Sequence, residues 1–148
     1  MADDNELNKK LAIEYFNGTW DLLDKTDRTT AEDFDMLHMA HASCFHWSRA
    51  GTAQNIARGE WQVSHVCAVL KQGEAALYHG QRSLDLCNEN DIADLDLAFG
   101  YEAVARAYAV LGDTAKAAEA KARAREAAQA IADDGDKTYC LGEIESVG

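Results

Sequence analysis

Not one proline interrupts the 148 residues of this chain. Proline fixes φ, removes a backbone donor and clashes with the preceding turn, so it kinks or ends most helices it enters. A chain without it is free to run long helices from end to end, and no alternating β-branched run competes for a strand. The spacing of apolar residues then predicts six of them.

The first, at about 5–25, carries Leu7, Leu11, Tyr15 and Leu22 beside Ala12, Phe16, Trp20 and Leu23, a wide stripe at intervals of three and four. Asp27 to Thr30 is a break. Thr29 with Glu32 three residues later forms a capping box and opens the second helix, at about 31–49, with Phe34, Leu37, His41 and Cys44 on one face. Gly51 suits a left-handed C-terminal position and Thr52 the next N-cap. The third helix, at about 53–71, is apolar nearly all round, from Ala53 and Ile56 through Trp61 to Leu70, and so reads as central. Gly73 is expected to end it. The fourth, at about 74–89, aligns Leu77, Gly80, Leu84 and Cys87. Asp91 is the expected N-cap of the fifth, at about 92–111, and Gly112-Asp113 turns the chain into an alanine-rich sixth at about 114–132. Gly135 is expected to close that helix. A short seventh, at about 137–147, lays Leu141, Ile144 and Val147 over the last open face as a cap.

Charge and cysteines bound the function. The net charge is −12, with ten acids against four bases in residues 1–35 and twelve against six in residues 91–148. Residues 36–90 hold four of each and all five histidines. Nucleic acid is excluded as a partner, because its affinity rests on Lys and Arg at phosphates. No apolar run reaches the ~18 residues of a membrane span. The acidic opening Met1-Ala2-Asp3-Asp4 is the reverse of a signal peptide's basic start. Cys44, Cys67, Cys87 and Cys140 are far apart in sequence and form no C-x-x-C pair, so reduced, buried thiols and a cytoplasmic location are expected.

Residues 98–130 resemble a tetratricopeptide repeat. Tyr101, Val104, Ala105 and Tyr108 stand at its first-helix pattern, Gly112-Asp113 at the turn, and Ala117 and Ala124 at the small-residue places of the second helix. Residues 59–90 are a second copy, with Trp61 at the tryptophan place, Gly73 at the turn and Ala76, Gly80 and Ser83 as the small-residue face. Lys121 departs from the pattern where an aromatic is usual, and the following proline is missing; residues 5–50 join only as a hairpin of matching length. The resemblance implies one all-α domain over residues 1–148. It would be a right-handed stack of antiparallel hairpins (about 5–50, 53–90 and 92–132, with a cap at 137–147) whose first helices line a concave groove that binds peptides. A helical bundle without a groove is the alternative at the level of fold.

Groove candidates are the polar residues at helical spacing on the first helix of each hairpin: Lys10, Glu14, Asn17 and Asp21; Asn55, Arg58, Gln62 and His65; Phe99, Glu102 and Arg106. The expected function is a protein- or peptide-binding adaptor or regulatory module, with no cofactor and no metal. The alternative is a small-molecule or metal-binding domain, in which His38, His41 and His65, with Cys44 and Cys67 near them, would be the ligands. Behind it stands an enzyme using Glu60, Glu102, His65 and Arg106 as acid–base groups, although no nucleophile elbow, P-loop or dinucleotide motif is present. Trp20, Trp47 and Trp61 are expected in the core, and Arg58 and Arg106 are either groove residues or struts paired with Glu60 or Glu102.

Overall fold

The computed structural model describes residues 2–148, with side chains from Asp4 onward; Met1 and the side chains of Ala2 and Asp3, which entered the reading of the N-terminus, lie outside the described residues. Among these residues there are seven helices and no strand: α1 (Ala2–Leu23), α2 (Thr30–Ala50), α3 (Ala53–Val69), α4 (Gly73–Glu89), α5 (Asp94–Leu111), α6 (Thr114–Gln129) and α7 (Asp134–Glu145). They pack in sequence as hairpins, α1 with α2, α3 with α4 and α5 with α6, and α7 rests on α5 and α6. Between hairpins α2 meets α3, α4 meets α5, and the first helices touch directly, α1 to α3 and α3 to α5. The all-α class is as the apolar spacing predicts and the tandem hairpins are as the resemblance implies, and α3 is central.

Side-chain caps explain several boundaries. Thr29 and Glu32 make both bonds of the capping box at α2. Thr52 makes a second box with Asn55 at α3, which assigns Asn55 a structural duty at a helix start. Asp113 caps α6 and Asp133 caps α7. Other expected boundaries are corrected. Gly51 is extended, not left-handed. Asp91 adopts a positive φ in the linker and caps nothing, so α5 starts at Asp94 behind Ala93. The sixth helix stops at Gln129, because Ile131 turns inward to join the core of α5, α6 and α7, and Gly135 falls in the first turn of α7.

Two glycines are fixed by geometry. Gly112 ends α5 with φ of 80°, the left-handed cap that a Cβ would strain. Gly73 begins α4 and does not end α3: a Cβ there would lie 2.7 Å from Leu111, so its absence lets the α3–α4 turn close on the end of α5.

The core is made of small side chains. Ala40, Ala68, Ala76 and Ala107 pack with Met36, Val63 and Val66 in a cluster that all three hairpins share, and Ala98, Ala124 and Ala128 pack with Ile131, Cys140 and Ile144 under α7. Close approach brings buried serines onto backbone carbonyls of the helix beside them. Ser43 donates to Ala12 at 2.7 Å, Ser64 to Ala76 at 2.7 Å and Ser83 to Ala57 at 2.8 Å, so each such bond ties a hairpin shut. All four cysteines are unpaired and buried, and burial pushes Cys44 and Cys140 up to about 12 and Cys87 up to about 11, leaving neutral, unreactive thiols.

Candidate binding site

The first helices converge on one pocket of about 140 Å³. Helix α1 contributes Phe16 and Trp20 one turn apart, α3 contributes Ala57, Arg58 and Trp61, α5 contributes Asp96 and Phe99, and Tyr139 reaches in from α7 over Ser83 of α4. The aromatic rings form a connected wall. Trp20 and Trp61 stack with centroids 5.8 Å apart, Phe99 meets Trp61 edge-on at 5.4 Å, and Tyr139 follows Phe99 at 5.9 Å. Offset and edge-to-face contacts of this kind hold rings in fixed orientations. The wall is therefore set before any ligand arrives.

Behind it lies a polar support. The Trp61 indole N–H donates to Glu102 Oε2 at 3.0 Å, and Arg106 Nε donates to Glu102 Oε1 at 2.7 Å. Arg106 also donates to the Glu143 carbonyl at 3.2 Å and to Ser146 at 2.9 Å, so one guanidinium fastens α7 to α5. Glu102 is wholly buried. Burial pushes its carboxyl above the usual range, with Arg106 and the indole N–H pulling the other way. His65 stacks on Trp61 at 5.0 Å, and burial, then the Arg106 charge, pushes its ring down to about 4. His65 is a neutral imidazole.

At the rim, Arg58 grips Asp96 with two bonds of 2.8 and 3.1 Å, and Gln54 donates to the same carboxylate at 2.7 Å. The pair joins α3 to the first turn of α5 across the pocket wall. Tyr139 is 55 % exposed at the mouth. Burial, then the nearby carboxylates of Glu143, Glu102 and Asp24, pushes its phenol above the ordinary value.

Only part of the expected stripe reaches this pocket. Arg58 and Phe99 line it. Gln62, expected in the groove, has no exposed surface and donates to the Phe16 carbonyl at 3.0 Å, pinning α1 to α3. Glu102 and Arg106 are the strut behind Trp61, His65 is packed against that ring, and Asn55 is a cap. Arg58 pairs with Asp96 and not with Glu60. On α1, Lys10, Glu14, Asn17 and Asp21 face solvent, and Phe16 and Trp20 turn toward the pocket.

Trp20 and Trp61, expected in the core, are half-buried pocket walls, and Tyr139 was missed with them. A signal was present for the tryptophans: Arg58, Trp61 and His65 share one face at intervals of three and four, as do Phe16 and Trp20. Nothing in the sequence joins Tyr139 to that face.

The histidines divide between two places. His65 lies against Trp61 and Trp20, whereas His41 meets His79 edge-on at 5.2 Å. His79 Nδ1 bonds Glu60 Oε2 at 2.7 Å, and the Cys44 thiol donates to Glu60 Oε1 at 3.5 Å. His38, His41 and His65 are thus not one ligand set, and among the described residues no group of three or more His, Cys, Asp or Glu is arranged to hold a metal ion. Glu60 bonds His79 and the Cys44 thiol whereas Glu102 bonds Trp61 and Arg106, so the four acid–base candidates are not one hydrogen-bonded group. Among the described residues no helix is long and apolar enough to cross a membrane. Comparison of the chain with models of protein families, with curated proteins and with solved structures returns no match.

Proposed function

We propose that this chain is a peptide-binding module of the tetratricopeptide type that seats one apolar anchor side chain of a basic partner segment in the aromatic pocket. The convergence of α1, α3, α5 and α7 on that pocket carries the reading. About 140 Å³ is close to the cavity that holds a benzene ring, which is the size of a Phe or Leu side chain. Preset aromatic walls lose little conformational entropy on binding, and aromatic residues in pockets supply most of the energy of peptide contacts. The net charge of −12 and the carboxylates of Glu143 and Asp24 near Tyr139 favour a cationic segment beside the anchor. Four reduced, buried thiols support the expected cytoplasmic setting.

A peptide-display selection on tag-free protein tests this, followed by titration of the selected peptides against Trp20 and Trp61 fluorescence. The expected consensus is an aromatic or leucine next to Lys or Arg, bound ~10-fold or more weakly by Tyr139→Ala, because a pocket anchor is worth ~1–3 kcal/mol. Peptides that bind Tyr139→Ala and Phe99→Ala as tightly as the parent protein place the site elsewhere. The apolar lining also favours a second reading, a free small apolar molecule as ligand. Indole saturating the same fluorescence change while no selected peptide does so would establish that one.

A further inference from the structure

The outer face of α2 carries an exposed seam, touched at His41 by the edge of the His79 ring of α4. Ala31, Phe34, His38, His41, Phe45 and Ser48 follow one another at intervals of 3, 4, 3, 4 and 3, and every one of them is exposed. Alternating steps of three and four keep side chains in a straight line along a helix, the geometry by which two helices pack side by side. Phe34 and Phe45 are 58 % and 53 % exposed, large apolar surface at both ends of a line with imidazoles between them. The buried residues of the helix, Met36, Ala40, Ser43 and Cys44, lie on the opposite side. The core contacts of α2 are therefore made without the seam.

The seam is also self-complementary. Read from either end it is small residue, Phe, His, His, Phe, small residue, with the same intervals. A two-fold axis between His38 and His41 lays Phe34 against Phe45 of a second copy, His38 against His41, and Ala31 against Ser48, in both halves at once. Such an isologous contact closes on itself and yields a dimer and no filament. Glu32 and Asp33 at the start of α2 are already held by Lys25 and Arg28, and the antiparallel direction lays the two helix dipoles head to tail. No seam residue is a carboxylate, although the chain has 26 of them, so two copies meet here without the repulsion that their net charge imposes elsewhere.

We infer that this chain forms a two-fold homodimer through an antiparallel pairing of α2 with α2 of a second copy. The seam is separate from the aromatic pocket, none of whose lining residues belongs to α2, so the dimer presents two pockets.

Sedimentation velocity on tag-free protein over a range of concentrations is the first test. It is expected to give twice the 16.2 kDa chain mass at high concentration, falling toward one chain on dilution. Phe34→Glu and Phe45→Glu are each expected to give the single-chain mass, with a thermal melt unchanged at concentrations low enough for the wild type to be a single chain, since both side chains are exposed there. Register is read by cysteine cross-linking. The double variant Ala31→Cys with Ser48→Cys brings paired positions together and is expected to form covalent dimers under mild oxidation. Ala31→Cys alone puts its two copies about 25 Å apart at ~1.5 Å per residue, far beyond disulfide reach, and also controls for the native thiols. A wild type with the single-chain mass at every concentration overturns the proposal. So does a dimer that survives both Phe variants, or one that cross-links through Ala31→Cys alone as readily as through the double variant.

Discussion

Trp61 shows how one side chain serves two masters. Its ring is a wall of the pocket, and its N–H satisfies a carboxylate that has no exposed surface. Trp61→Phe keeps the ring stack and leaves one Glu102 oxygen without its donor, so a loss of ~1–3 kcal/mol in denaturant unfolding is expected. Glu102→Ala removes the acceptor and strands a largely buried Arg106; ~3–5 kcal/mol is expected by the same measurement, with α7 loosened first because Arg106 holds its C-terminal end. His65 sets a pH dependence. Its ring is held near 4 in the folded chain against an ordinary 6.5, so the unfolded chain takes up the proton first. The associated stability is whole above pH 6.5 and drains away as pH falls toward 4, by up to ~3 kcal/mol at 1.36 kcal/mol per unit. Unfolding curves across that window in the wild type and in His65→Phe should differ by this limb. At pH 7.5 the replacement should cost little, because His65 Nδ1 has no hydrogen-bond partner to lose. Glu60 acts lower on the scale: burial raises it, but the His79 ring and the Cys44 thiol outweigh burial and hold it below 4.5, so its contribution is lost only as pH falls below that value.

At the scale of elements, hairpins are closed by buried serines as much as by alanine contacts. Ser64→Ala removes the hydroxyl bonded to the Ala76 carbonyl and changes little else, and is expected to cost ~1 kcal/mol by thermal or chemical unfolding. Gly112→Ala forces a Cβ into a left-handed cap with open space around it, so the cost is conformational, ~1–2 kcal/mol, and not steric. Lys121, which departs from the tetratricopeptide pattern that residues 98–130 resemble, has a structural use of its own. Its amine donates to the Val147 carbonyl at 2.9 Å, and so ties α6 to the end of the chain that packs beneath it.

Across the whole molecule, the acidic exterior and the apolar pocket are expected to have separable effects on the proposed basic partner. Electrostatic attraction acts at a distance and is screened by salt, with a Debye length of ~8 Å at physiological ionic strength. The anchor contact is short-ranged and is not. Raising salt should therefore slow association of the selected peptides several-fold while leaving dissociation nearly constant, and Tyr139→Ala should do the reverse. Stopped-flow fluorescence measures both. Equal effects of salt on the two rates would mean that the peptide is held by surface charge and not by the pocket.

The elements were legible in the sequence because their causes are local. Absence of proline, stripes at intervals of three and four, and the Thr29–Glu32 box act within a few residues, and α2 starts where they say. Boundaries drifted where a distant contact decided them: Gly73 answers to Leu111, and Ile131 leaves the helix to fill the space beneath α7. The site was half legible. Helical spacing put Arg58 and Phe99 on the faces that meet, because a face is a property of one helix. Which side of that face is sealed is a property of the neighbours. α1 and α7 close over Gln62 and Glu102 and bring Phe16, Trp20 and Tyr139 to the opening, so polar residues went inside and aromatics to the mouth. A buried polar residue and an exposed one look alike in sequence, and only the packing of α3 against α5 supplies the Trp61 N–H that, with Arg106, lets Glu102 lie in the interior.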